Sequence, residues 1–171
     1  LATTALAAQL SGGSYATANF AIAGVFIARL LPAVFLGPIA GVIADRFDRR
    51  KLMVTADIFR AGLYISIPIV NTYFWLYAAM ILVECLTLFW SPAKDASVPN
   101  LVPRNKLESA NQVSLLAAYG TAPIAALLFT FLSLFTSAIN VTFGINSTAV
   151  NLSLYVNALS FAFAAFTIWG L

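Results

Sequence analysis

Apolar residues run through this chain in blocks of roughly twenty, separated by short polar connectors, and a bilayer core about 30 Å thick needs helices of that length. Five blocks are long enough to span: Ala18–Ala44, Leu52–Val70, Thr72–Trp90, Ala110–Phe135 and Val150–Leu171. A stub, Leu1–Leu10, precedes them. Spanning strands need only about ten residues and an alternating pattern, which these runs lack. The pattern therefore predicts an all-α integral membrane bundle, with five full transmembrane helices and a partial first one. The stretch Ser91–Ser109 carries Pro92, Pro99 and Pro103 and is predicted not to form one continuous helix. Leu107–Asn111 reads as the start of the fifth helix.

The connectors alternate in charge. Between helices two and three lie Asp45, Arg46, Asp48, Arg49, Arg50 and Lys51; between four and five lie Lys94, Asp95, Arg104, Lys106 and Glu108. The connectors near Ser11–Thr17, Asn71 and Thr136–Ala149 contain neither Lys nor Arg. Basic loops stay on the cytoplasmic side of a serial up-and-down bundle, so Arg49 and Lys106 are expected inside and Asn146 outside.

Composition agrees: 61% of residues are hydrophobic and 9% charged, against about 25% charged in soluble domains. Nine basic against six acidic residues is an excess that topology explains, so no nucleic-acid partner is inferred. Histidine is absent and Cys85 is the single cysteine, leaving little for metal or acid–base chemistry and no intrachain disulfide. There is no phosphate-cradling Gly-x-x-x-x-Gly-Lys loop. These features argue against an enzyme and imply no cofactor. The chain opens at Leu1 within an apolar run, without the basic leader of a signal peptide, and reads as entered partway through its first helix.

One stretch carries a resemblance. Gly37-Pro-Ile-Ala-Gly41-Val-Ile-Ala-Asp45-Arg46-Phe-Asp48-Arg49-Arg50-Lys51 resembles the loop between helices two and three of the major facilitator superfamily. Gly41, Asp45, Arg46, Arg49 and Arg50 fit its pattern, while Asp48 stands where that pattern has glycine. The Asp45–Arg50 run is similar to the branch of macrolide and siderophore exporters, as are Ser91–Pro103 and Leu107-Glu-Ser-Ala-Asn111. The resemblance implies the N-terminal six-helix half of a twelve-helix transporter in a bacterial inner membrane, with a second half as partner. It also implies that Asp45 helps hold the cytoplasmic side closed against a helix of that second half. A carboxylate at a helix N-terminus contributes about 0.3–2 kcal/mol, a suitable size for a latch that opens every cycle. Gly37 and Gly41, four apart, would admit a close neighbouring helix. Antiporters of the superfamily carry a Gly-Pro with further glycines in the fifth helix; here Gly120 and Pro123 with nearby alanines keep a bend and close packing open.

Four ionisable residues fall inside predicted spans: Arg29, Asp57, Arg60 and Glu84. A charge at mid-bilayer costs at least about 2.5–3.5 kcal/mol, so each should face the bundle interior or a cavity. Asp57 and Arg60, three apart, share a helix face. At 1.5 Å per residue, counted from Lys51 and Lys94, Arg60 and Glu84 lie roughly 13–15 Å from the cytoplasmic boundary, and Arg60 is placed to pair with Glu84 as well as Asp57. Arg29 lies roughly 24 Å from it, too far outward for easy pairing with Glu84. Two roles stay open for the cluster. It is an ion-pair staple between helices three and four, or Asp57 or Glu84 takes up the protons that drive transport. Arg29 is a candidate for an anionic substrate or a carboxylate on the first helix.

The resulting expectation is a secondary transporter embedded in lipid, exporting a hydrophobic or amphipathic small molecule of drug or siderophore type by proton-coupled alternating access. The alternatives are a lysophospholipid transporter of the same fold and a non-transporting membrane scaffold subunit.

Overall fold

The computed structural model describes residues 1–12, 15–143 and 148–170; Asn146, expected on the outer side, lies outside them, as does Leu171. Among the described residues six α-helices follow in order: α1 Ala2–Leu10, α2 Tyr15–Ala44, α3 Arg49–Val70, α4 Tyr73–Leu101, α5 Leu107–Phe143 and α6 Ala149–Trp169, with a 3-10 turn at Arg104–Lys106 before α5. Five of them, α2 to α6, are long and apolar enough to cross a membrane.

Their ends are set by local chemistry. Asp48 caps α3, its Oδ1 accepting from the Lys51 backbone N–H at 3.0 Å. Asn71 ends the same helix at φ 48°, a left-handed conformation that asparagine tolerates, and its N–H returns to the Ile67 carbonyl. Thr72 and Thr148 cap α4 and α6, accepting from the Trp75 and Asn151 backbones.

α4 overruns its expected end at Trp90, and the break within Ser91–Ser109 comes late in that stretch. α4 continues through Pro92 and Pro99 to Leu101, and the chain leaves the helix only at Val102–Pro103. Each proline forfeits one backbone bond, a loss that membrane helices tolerate when neighbours satisfy the freed groups. Beside Pro99, Arg49 Nη1 donates to the Ala96 carbonyl at 2.7 Å and ties the start of α3 to this stretch of α4. α5 likewise runs unbroken through Pro123 and reaches Phe143, beyond the expected Phe135.

Packing follows the order α2–α4–α3–α6–α5, with the short α1 against α2, α4 and α6. Small residues allow this. Ala7, Ala21, Ala28 and Ala79 are buried where α1, α2 and α4 meet, and Val25, Ile67, Leu76, Met80 and Leu154 fill the space between. At Gly24 a Cβ would lie 3.0 Å from the Tyr77 ring, while the Tyr77 hydroxyl donates to the Ala21 carbonyl at 3.2 Å. That glycine is what lets α4 press a tyrosine onto the α2 backbone. The starts of α3, the ends of α4 and α6, and Lys106 gather at one end of the bundle, which is the basic end. Large apolar side chains stay exposed along α2 and α5, among them Phe20, Val34 and Phe35 on α2 and Leu116, Leu127 and Phe131 on α5.

Candidate functional site

Two charged pairs lie within the bundle, and their surroundings differ. Asp57 and Arg60, one helical turn apart on α3, are 1% and 3% exposed. Arg60 Nη1 donates to Asp57 Oδ1 at 2.8 Å, and the indole Nε1 of Trp90 on α4 donates to Oδ2 at 3.1 Å. The guanidinium lies between two rings, 5.3 Å from the centroid of Trp90 and 5.4 Å from that of Phe161 on α6. Arg60 Nε and Nη2 have no hydrogen-bond partner among the described residues. Cation–π attraction, about 2 kcal/mol when desolvated, partly compensates them. Phe161 in turn stacks on Tyr64 at 5.6 Å. One neutral ion pair thus ties α3 to α4 and α6, and both carboxylate oxygens are occupied.

The second pair joins α2 to α4. Arg29 Nε stands 3.8 Å from Glu84 Oε2, with side chains 56% and 20% exposed. This corrects the depth argument that kept them apart. Depth counted from Lys94 falls short because α4 continues to Leu101, and Glu84 sits roughly 25 Å from the helix end, level with Arg29. Arg60 therefore has Asp57 as its ion-pair partner, and Glu84 belongs with Arg29. A cation as open as Arg29 at this depth requires water or a polar partner rather than hydrocarbon.

The connector residues separate in the same way. Asp45 and Arg46 are exposed just past the end of α2, and the Asp45 carboxylate meets no partner among the described residues. A negative charge is unfavourable at a helix C-terminus, and no ion pair among the described residues offsets it at Asp45. Arg49 grips Ala96 of α4, and Arg50 lies over the Trp169 ring of α6 at 5.8 Å. Gly37 and Gly41 have open space where a Cβ would stand, and Gly120 faces only Leu116 of its own helix. Among the described residues, no other helix makes the close approach expected at these three glycines.

Sequence reasoning missed Trp90, Phe161 and the cap at Asp48. An aspartate directly before a new helix is a readable cap signal. A buried indole N–H must find an acceptor, but which one is decided by packing alone.

Comparison with known proteins places this geometry. The transmembrane secretion effector family, within the major facilitator superfamily of membrane transporters, matches residues 4–167, and the chain belongs to it. Among curated proteins, the MFS-type transporter YfiS of Bacillus subtilis is 36% identical over 84 residues, covering 49% of this chain and 20% of that protein. Macrolide efflux protein A of Streptococcus pyogenes is 33% identical over 108 residues, 58% of this chain and 27% of that protein. The macrolide efflux protein A of Enterococcus faecalis matches at the same identity and covers 33% of its own length. The chain thus spans about a fifth to a third of the curated relatives it matches. No solved structure matches it.

Proposed function

We propose that this chain is the N-terminal half of a twelve-helix exporter of hydrophobic or amphipathic small molecules, coupled to protons and working by alternating access. The observation that carries this reading is the Arg29–Glu84 pair, loosely joined at 3.8 Å, at mid-depth and half open. A structural staple would be closed, as Asp57–Arg60 is. A carboxylate 20% exposed, with one weak partner that is itself 56% exposed, is able to gain and lose a proton within a transport cycle. The likeness to macrolide efflux proteins supports the substrate class and the outward direction. In this reading the exposed faces of α2 and α5 pack against the second half, Gly37 and Gly41 receive one of its helices, and Asp45 latches to a helix N-terminus there. The basic end faces the cytoplasm.

Uptake of a labelled macrolide into cells making the full-length protein tests this. The protein should lower accumulation, and a protonophore should restore it. Export that persists with the proton gradient collapsed refutes proton coupling; accumulation equal to control cells refutes the substrate class.

A further inference from the structure

On the far side of the bundle from α2 and α5, α3 and α6 enclose a groove of about 310 Å³. Its walls are Val54, Ile58 and Ala61 of α3, and Ala162, Ala165, Phe166 and Trp169 of α6, all apolar. Ile58, Phe166 and Trp169 are 57%, 75% and 64% exposed, so the groove opens outward. Its α3 wall continues by one helical turn, from Val54 back to Arg50. From Arg50 to Ala61 the helix rises about 16 Å, close to half of the 30 Å hydrocarbon core and hence to one leaflet. The deep end is apolar. The shallow end carries a tryptophan, the residue of membrane–water interfaces, with the Arg50 guanidinium 5.8 Å above its ring.

The charges at that shallow end are unbalanced. Arg49, Arg50 and Lys51 form the first turn of α3, where the helix dipole is positive and cations are unfavourable. Asp48 is engaged in the cap, and Arg49 is engaged with Ala96. Arg50 and Lys51 meet no carboxylate within ion-pair distance among the described residues. An anion is the group this place lacks, and an acyl chain is the shape the groove fits.

We propose that the α3–α6 groove binds an anionic phospholipid of the leaflet at the basic end, with one acyl chain along Val54, Ile58, Ala162 and Phe166 and its phosphate against Arg50 and Lys51. The site rests on membrane insertion alone and is independent of the transported substrate. It gives the protein a preference for phosphatidylglycerol-like lipids over zwitterionic ones on this face.

The full-length protein in nanodiscs of equimolar phosphatidylglycerol and phosphatidylcholine, released into native mass spectrometry, provides the test. Wild type should retain phosphatidylglycerol preferentially. Arg50→Gln should lower that preference about fivefold, as loss of one interfacial cation does, and Arg50→Lys should keep most of it. Ala162→Trp, at an exposed position inside the groove, should reduce retention of both lipids. Arg46→Gln, an exposed cation away from the groove, should change little. Equal retention of the two lipids by wild type, or equal effects of Arg46→Gln and Arg50→Gln, overturns the site. If Ala162→Trp aggregates, the Arg50 and Arg46 variants still decide the matter.

Discussion

Trp90 of α4 donates its indole hydrogen to Asp57 of α3 across 3.1 Å, and the same ring lies 5.3 Å from the Arg60 guanidinium that Asp57 neutralises. One side chain thus serves both members of an ion pair on the neighbouring helix. It holds the anion through its N–H and the cation through its face.

This arrangement predicts a hierarchy of stability. Asp57→Ala strands a buried arginine and should cost about 3–5 kcal/mol. Replacing both partners, Asp57→Leu with Arg60→Met, should recover most of that loss. Trp90→Phe keeps the ring but removes the donor and should cost about 1.5–3 kcal/mol. Thermal unfolding in detergent, followed by circular dichroism, ranks the three. A double variant no more stable than Asp57→Ala would show that the pair is not the unit of stability.

Glu84→Gln should behave differently, because Arg60 does not depend on it. The loose pair with Arg29 contributes at most about 1 kcal/mol, so the variant should insert and unfold nearly as wild type does. In the full-length protein it should still bind substrate but lose accumulation driven by a proton gradient. A Glu84→Gln protein that pumps normally removes this carboxylate from coupling.

The glycines divide by what surrounds them. Gly24→Val drives a side chain into the Tyr77 ring and should destabilise the bundle by about 1–3 kcal/mol. At Gly41 an added Cβ meets nothing within 4 Å among the described residues, so Gly41→Val should leave the isolated half stable yet impair full-length transport if a helix of the second half packs there. Asp45→Asn should do likewise, sparing insertion while lowering transport strongly. Normal transport by Gly41→Val or Asp45→Asn withdraws that residue from the interface.

Orientation is checked by cysteine labelling after Cys85→Ser removes the native thiol. Lys106→Cys should resist an impermeant reagent added outside, whereas Asn71→Cys, exposed at the opposite end of the bundle, should react. The reverse pattern inverts the topology.

The helices were legible in the sequence because hydrocarbon imposes a length that a run of apolar residues reports directly. Their ends were less so, most of all at Trp90, where the prolines that follow were read as a stop. In water a proline's lost bond and steric clash argue for a break, but α4 carries Pro92 and Pro99 inside the helix, because in a bilayer a break would expose more backbone than it relieves. The Asp57–Arg60 contact was legible because three residues on one helix is a fixed geometry. The Arg29–Glu84 contact was not, because an error in the end of α4 became an error in depth. Trp90 and Phe161 were invisible for a third reason: apolar rings in apolar runs carry no mark of which charge they cover.

The Arg49–Ala96 bond makes the bundle a linkage as well as a stack. Arg49 begins α3, and the carbonyl it holds lies beyond Pro92 in α4, whereas Glu84 lies before that proline. A lateral swing of the loop between α2 and α3 therefore pulls the last turns of α4 along with it. The missing backbone rung at Pro92 is where α4 yields most easily, so the tip moves with α3 while the Glu84 segment keeps its place against α2. Displacement entering at the loop is thereby expected to leave as bending of α4 near Pro92, between the Ala96 contact and the segment that carries Glu84.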